Sequence, residues 1–126
     1  MPDMRLCIAY AIEYPNRSLN AHGAIDWTSL SRLDFEPPDY EAFPCLRLAY
    51  EAGRAGETAP ATLSAANEVA VDAFLDGRIR WTQIADVVST VLDRYSGVKA
   101  ASLDAVLAAD EQARGHAAEA VAALAT

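Results

Sequence analysis

The chain has 126 residues, 52% of them hydrophobic and 22% charged, and one domain of ~100–150 residues buries enough apolar surface to fold without a disulfide or structural metal. Ten Lys and Arg against 18 Asp and Glu give a net charge of -8, which opposes polyanions and argues against nucleic acid and acidic membranes as partners. Cys7 and Cys45 are too far apart in sequence for a Cys-x-x-Cys pair, no apolar run approaches the roughly 20 residues of a membrane span, and Met1–Arg5 has no signal-peptide core. The expectation is a soluble chain of the reducing cytoplasm.

The first periodic stretch, Met4 to Tyr14, repeats Leu6, Ala9, Tyr10 and Glu13 at helical spacing, with Asp3 placed as an N-cap and Pro15 as the stop. From Pro15 to Pro44 the chain carries four prolines and no sustained period, which predicts a connector far longer than the usual 4–6 residues. Within it, Asp26 to Leu30 predicts one capped turn, and Leu33-Asp34-Phe35-Glu36, stopped by Pro37-Pro38, predicts a short strand. Leu6, Ile8, Ile12, Trp27, Leu33 and Phe35 have no obvious local partner there, and a lone strand needs neighbours, so the sequence reads as though a sheet were missing upstream.

After Pro44 four helices are predicted. Cys45, Leu48, Ala49 and Ala52 form the stripe of the first, with Gly53 as its C′ residue. A loop with Gly56 and Pro60 leads to the second, Ala61 to Leu75, with Val71, Phe74 and Leu75 as its apolar face and Gly77 as its end. Thr82 caps the third, Gln83 to Tyr95, whose face is Ile84, Val87, Val88, Val91 and Leu92, with Gly97 beyond it. Ser102 caps the last, alanine-rich helix, with Leu103, Val106, Leu107, Ala113, Ala117, Val121 and Leu124 as candidate core. The fold class expected is therefore mainly α: a C-terminal four-helix bundle preceded by a helix and a long linker arm with one short strand.

The chemistry-bearing side chains are sparse. The six glycines are scattered at helix ends and turns, and none forms a phosphate-cradling loop. His22 lies in the connector, and His116 has only Glu119 one turn away, which on an acidic face reads as a solvated pair before it reads as a metal site. Cys7 and Cys45 fall on helical stripes and read as small buried hydrophobes, since no histidine is placed to lower a thiol pKa. Glu68 and Asp72 share a helix face and could ligate a divalent ion or trade a proton, but a polar helix surface facing the connector or solvent is the favoured reading. Asp39, Tyr40 and Glu41 read as a turn before a helix. Asn67, in an Ala/Val-rich helix, is expected to be buried and hydrogen-bonded to a loop.

Three stretches taken together are more specific. Pro2-Asp3-Met4-Arg5, then Phe43-Pro44-Cys45-Leu46-Arg47-Leu48-Ala49-Tyr50-Glu51-Ala52-Gly53, then Ala65-Ala66-Asn67-Glu68-Val69-Ala70-Val71-Asp72-Ala73-Phe74-Leu75-Asp76-Gly77-Arg78-Ile79-Arg80-Trp81-Thr82 resemble the C-terminal part of 1-deoxy-D-xylulose 5-phosphate reductoisomerases. Leu33-Asp34-Phe35 and Pro38-Asp39-Tyr40 stand in their expected places between, and the likeness spans nearly all of this chain but only about the last third of such an enzyme. Departures are Ser64, where the family usually has Asn, and Cys7, where it usually has Pro. The resemblance implies an NADPH-dependent and Mg²⁺- or Mn²⁺-dependent oxidoreductase of the non-mevalonate isoprenoid pathway, which makes 2-C-methyl-D-erythritol 4-phosphate and is a cytoplasmic homodimer. It also implies a division into residues 1–14 as the end of the catalytic domain, 15–44 as a linker arm and 45–126 as the helical bundle.

Of the family's site, the resemblance places only Pro2 and Met4 here, as walls of the substrate and nicotinamide pocket, and implies no catalytic residue and no metal ligand in this chain. The expectation is a C-terminal portion whose partners are the cofactor and catalytic domains of the same enzyme, inactive and without bound cofactor when alone. The alternative, from a different class, is a stand-alone helical module that binds a protein partner through its N-terminal third.

Overall fold

A computed structural model describes residues 4–17, 26, 28, 32 and 34–124 of the chain. The chain divides into two units, Met1–Pro37 and Pro38–Thr126. All regular structure among the described residues is helical, in the order α1 (Met4–Glu13), α2 (Pro44–Ala55), α3 (Ala59–Leu75), α4 (Gln83–Asp93) and α5 (Leu103–Leu124).

In the first unit α1 forms where the periodicity places it and stops at Glu13, two residues before Pro15, because proline disfavours helical backbone in the residue before it. Its expected cap, Asp3, lies outside the described residues. At the predicted turn, Asp26 Oδ1 accepts hydrogen bonds from the Thr28 backbone N–H at 2.9 Å and its hydroxyl at 2.6 Å, an Asx-type turn. The predicted strand is not seen at Asp34, Phe35 and Glu36, and Leu33 lies outside the described residues. Alternating side chains do not make a strand without a neighbour to complete the backbone ladder.

The second unit is the bundle. Asp39 Oδ1 accepts from the backbone N–H groups of Glu41 and Ala42, both at 2.9 Å, and turns the chain into α2. Pro44 starts that helix, at a position where a missing N–H costs nothing. Gly53 does not end α2 as expected. The helix passes through it to Ala55, and Gly56 makes the left-handed turn, with φ 67° and its N–H bonded to the Ala52 carbonyl at 3.0 Å. An interior glycine costs about 1 kcal/mol, which the burial of Leu48 and Ala52 offsets. Pro60 likewise belongs to the first turn of α3 and not to the loop before it.

Helix α3 is the hub, packing against α2, α4 and α5, while α2 also meets α4 and α4 meets α5. Its buried face is not Val71, Phe74 and Leu75 but Ala59, Thr62, Ala65, Ala66, Ala70 and Ala73; Leu75 is 73% exposed. The facing side of α5 is likewise small, with Ala109, Ala113, Ala117, Ala120 and Val121 buried, while Leu103 and Leu107 point outward. Small side chains let two helix backbones approach closely, and larger ones would hold them apart. Helix α4 supplies the bulk: Val87, Val88 and Val91 are buried, and Ile84 and Leu92 pack against the same core.

The ends of α4 also differ from expectation. Thr82 makes no side-chain cap; instead Gln83 Oε1 reaches back to the Arg80 backbone N–H at 2.7 Å, and the helix stops at Asp93. Ser102 does cap α5, its Oγ accepting from the Ala105 N–H at 3.2 Å. The loop between these helices is pinned at Thr58, whose side chain is fully buried and donates to the Val98 carbonyl at 2.8 Å. Thr58→Val keeps the shape and deletes the hydroxyl, so thermal unfolding should show a loss of about 1 kcal/mol; no change would mean the loop is held by other contacts.

Candidate functional site

Two features of the bundle have the chemistry to be considered, a polar cluster and an apolar hollow. In the cluster, Glu68 does not work with Asp72. It accepts from Arg114 of α5 at 2.6 Å, while Arg114 also donates to Asp110 at 2.7 Å one turn earlier on its own helix. Hydrogen bonding to Asp110 first, and to Glu68 second, pushes the Arg114 guanidinium above its ordinary range, so it stays charged and ties α5 to α3. Glu119 is similarly taken, accepting from Arg94 at 2.8 Å, so it is not left for His116. Among the described residues no group of three or more His, Cys, Asp or Glu side chains could hold a metal ion. His22 lies outside those residues.

The hollow, of about 480 Å³, opens between the turn that enters α2, the middle of α3 and the start of α4. Phe43, Val71, Trp81 and Ile84 provide apolar wall, and Glu41 and Asp86 bring carboxylates. Asn67 faces this space and is exposed, contrary to the expectation of a buried amide bonded to a loop. The alanines beside it in sequence, Ala65 and Ala66, take the core-facing positions, which leaves residue 67 on the outer side. Cys45 also lines the hollow and is exposed, as is Cys7 on α1. Neither is the buried hydrophobe expected: on α2 Leu48 and Ala52 take the core-facing positions, and α1 has no buried residue. Partial covering of Cys45 pushes its thiol pKa above the ordinary value, away from the reactive thiolate. The hollow has a sequence signature that periodicity does not report: an aromatic residue stands directly before Pro44 and another directly before Thr82, at the starts of two helices that meet.

Of the two residues implied as pocket walls, Pro2 lies outside the described residues. Met4 is the first residue of α1 and is 75% exposed. No residue of α1 is buried, and Leu6, Ile8 and Ile12 are 59%, 52% and 79% exposed. A helix apolar on every side is normally found inside a protein. No helix among the described residues is long and apolar enough to cross a membrane.

Uncovered apolar surfaces on α1 and on the bundle, beside ion pairs such as Arg114 with Glu68 and Arg94 with Glu119 that tie helices together, define a helical domain. Residues 1–116 match the DXP reductoisomerase C-terminal domain, and the chain belongs to that family. It is 55% identical over 113 residues to the 1-deoxy-D-xylulose 5-phosphate reductoisomerase of Cupriavidus metallidurans, covering 90% of this chain and 29% of that protein. It is 56% identical over 116 residues to the one of Ralstonia pickettii, with 92% and 29% covered. Among solved structures, it resembles the Zymomonas mobilis enzyme in complex with NADPH at 43% identity and a TM-score of 0.85, over 96% of this chain and 32% of that one. A DOX-P reductoisomerase in complex with NADPH, fosmidomycin and magnesium gives 36% identity and a TM-score of 0.87, with 98% and 32% covered. The chain thus spans about three-tenths of the length of these relatives.

Proposed function

We propose that this chain serves as the C-terminal part of a 1-deoxy-D-xylulose 5-phosphate reductoisomerase, an NADPH- and divalent-metal-dependent enzyme that forms 2-C-methyl-D-erythritol 4-phosphate for isoprenoid synthesis. The observation that carries this is the match over residues 1–116 at the identities above. The exposed and largely apolar α1 supports it, because such a helix suits a place inside a larger domain. On this reading residues 1–14 complete the catalytic domain, 15–44 form the linker arm and 45–126 the bundle. The enzyme is a homodimer of the cytoplasm, with neither nucleic acid nor membrane as a partner.

The described side chains do not fit the metal: Glu68 and Asp110 are committed to Arg114, and no alternative cluster is present among them. No step is therefore assigned to an ion on this chain. NADPH supplies the hydride in the complete enzyme, and the fitting contribution here is a wall. Met4 has a soft thioether, exposed at the head of its helix and without a titratable group, which suits contact with a ring or a carbon chain. Pro2 is assigned to the same wall.

The test joins residues 1–126 to the preceding part of the Ralstonia pickettii relative in place of its own C-terminal segment. Substrate-dependent NADPH oxidation is expected; a folded chimaera without turnover would overturn the reading. Within that chimaera Met4→Ala should lower kcat/KM by an amount typical of lost packing, about 1–3 kcal/mol. Because no proton moves at Met4, the pH profile should keep its position. A shifted profile, or unchanged kinetics, would remove Met4 from the pocket.

A further inference from the structure

We propose that the small void between α3, α4 and α5 is a binding site for one water molecule, which bridges the Thr62 hydroxyl of α3 to Gln112 and His116 of α5. Thr62 is the polar exception on the buried face of α3, which is otherwise Ala59, Ala65, Ala66, Ala70 and Ala73, and it is 5% exposed. A buried hydroxyl has a partner as a rule, and a helical threonine often finds one in the carbonyl a turn earlier, as Thr90 does with Asp86 at 2.8 Å. Thr62 does not. The Thr58 carbonyl a turn earlier accepts the Thr62 backbone N–H at 2.9 Å, and the Thr62 hydroxyl has no partner among the described residues. Yet none of their sealed side-chain nitrogens and oxygens lacks a partner, so this hydroxyl is open to the void that Thr62 borders.

The void measures about 20 Å³, above the roughly 10–15 Å³ that one water needs. Its floor is Thr62, Val91, Ala109 and Ala113, all buried, and its rim is polar. Two rim groups are already engaged: the Tyr95 hydroxyl donates to the Val98 carbonyl at 3.2 Å, and Arg94 donates to Glu119 at 2.8 Å. The side chains of Gln112 and His116 have no partner among the described residues, and they stand one turn apart on α5, on one side of that helix. With Thr62 they make three partners, within the two to four that a buried water takes. No carboxylate lines the void and its one permanent cation is paired, so a neutral ligand that both donates and accepts fits better than an ion. The water adds a polar link across the contact of α3 with α5, and it accounts for a threonine where alanine would pack. Because the rim is open at Gln112 and Ser96, both exposed, a larger side chain at Ala113 can push the water out.

The test is a crystal structure of the 126-residue chain at a resolution that orders water, with a second data set from crystals soaked in sodium bromide. A density peak is expected about 2.7–3.0 Å from Thr62 Oγ and at hydrogen-bonding distance from Gln112 or His116, as well ordered as the side chains around it. Thr62→Val keeps the shape and removes the hydroxyl, and its crystals should lose the peak. Thr62→Ser keeps the hydroxyl and should keep the peak, and it serves if the valine variant does not fold. A void without density in the unaltered chain overturns the proposal, as does a peak unchanged in Thr62→Val or lost in Thr62→Ser. An anomalous bromide signal at the site also overturns it and assigns the void to an anion.

Discussion

Ala117→Leu is expected to destabilise the bundle by about 2–3 kcal/mol, seen as a lower denaturant midpoint with an unchanged slope. Ala117 is fully buried, as are Ala65, Ala66, Ala70 and Ala73 of the facing helix α3. Leucine adds three carbon atoms where two backbones have come together because both sides are small, so α5 must move away or the side chain must leave its rotamer. The effect should depend on position along α5. Ala113 borders a void of about 20 Å³ beside Thr62 and Val91, so Ala113→Leu has slightly more room and should cost less. Ala118, one residue on from Ala117, is exposed, and Ala118→Leu should stay within about 0.5 kcal/mol. Equal losses at all three positions would mean that the helix interface is not the tight contact seen between α3 and α5.

Helix α4 shows how far the residues specify this architecture. Val87, Val88 and Val91 carry a strong period, and the structure buries them. The neighbouring helices mislead for a physical reason. Alanine is nearly indifferent between core and surface, so in α3 and α5 the visible period lies in the larger side chains, and Leu75, Leu103 and Leu107 are exposed at 73%, 72% and 57%. The small residues decide the packing by permitting close approach, which shows only once the partner helix is known. Gly53 misleads similarly, because the turn that ends α2 is made at Gly56, where φ is 67°. The hollow left only two aromatic residues at helix starts as a trace in the sequence: Phe43, Asn67 and Trp81 are far apart along the chain, and only the junction of α2, α3 and α4 brings them to one space. Family resemblance reached further than periodicity for this reason, since it reads order and spacing across the whole stretch.

The 126-residue chain alone should oxidise no NADPH with 1-deoxy-D-xylulose 5-phosphate and Mg²⁺ or Mn²⁺, whereas the chimaera with the preceding domains should turn over. The reaction needs a held nicotinamide, a phosphate anchored by donors and a divalent ion on several oxygen ligands at once. Each requirement can be set against this chain. Its glycines make no phosphate-binding loop. The best placed cation, Arg114, is engaged by Glu68 and Asp110. The carboxylates form no metal-sized group among the described residues. A net charge of -8 adds repulsion of a phosphorylated substrate and of NADPH. Since positioning and electrostatic stabilisation each contribute factors of roughly 10² or more, a chain that met none of the three requirements would fall below detection and not merely weaken. Turnover by the purified chain above the rate without it, abolished by a chelator, would show that a complete site is present within these 126 residues and would overturn the accessory role assigned to them.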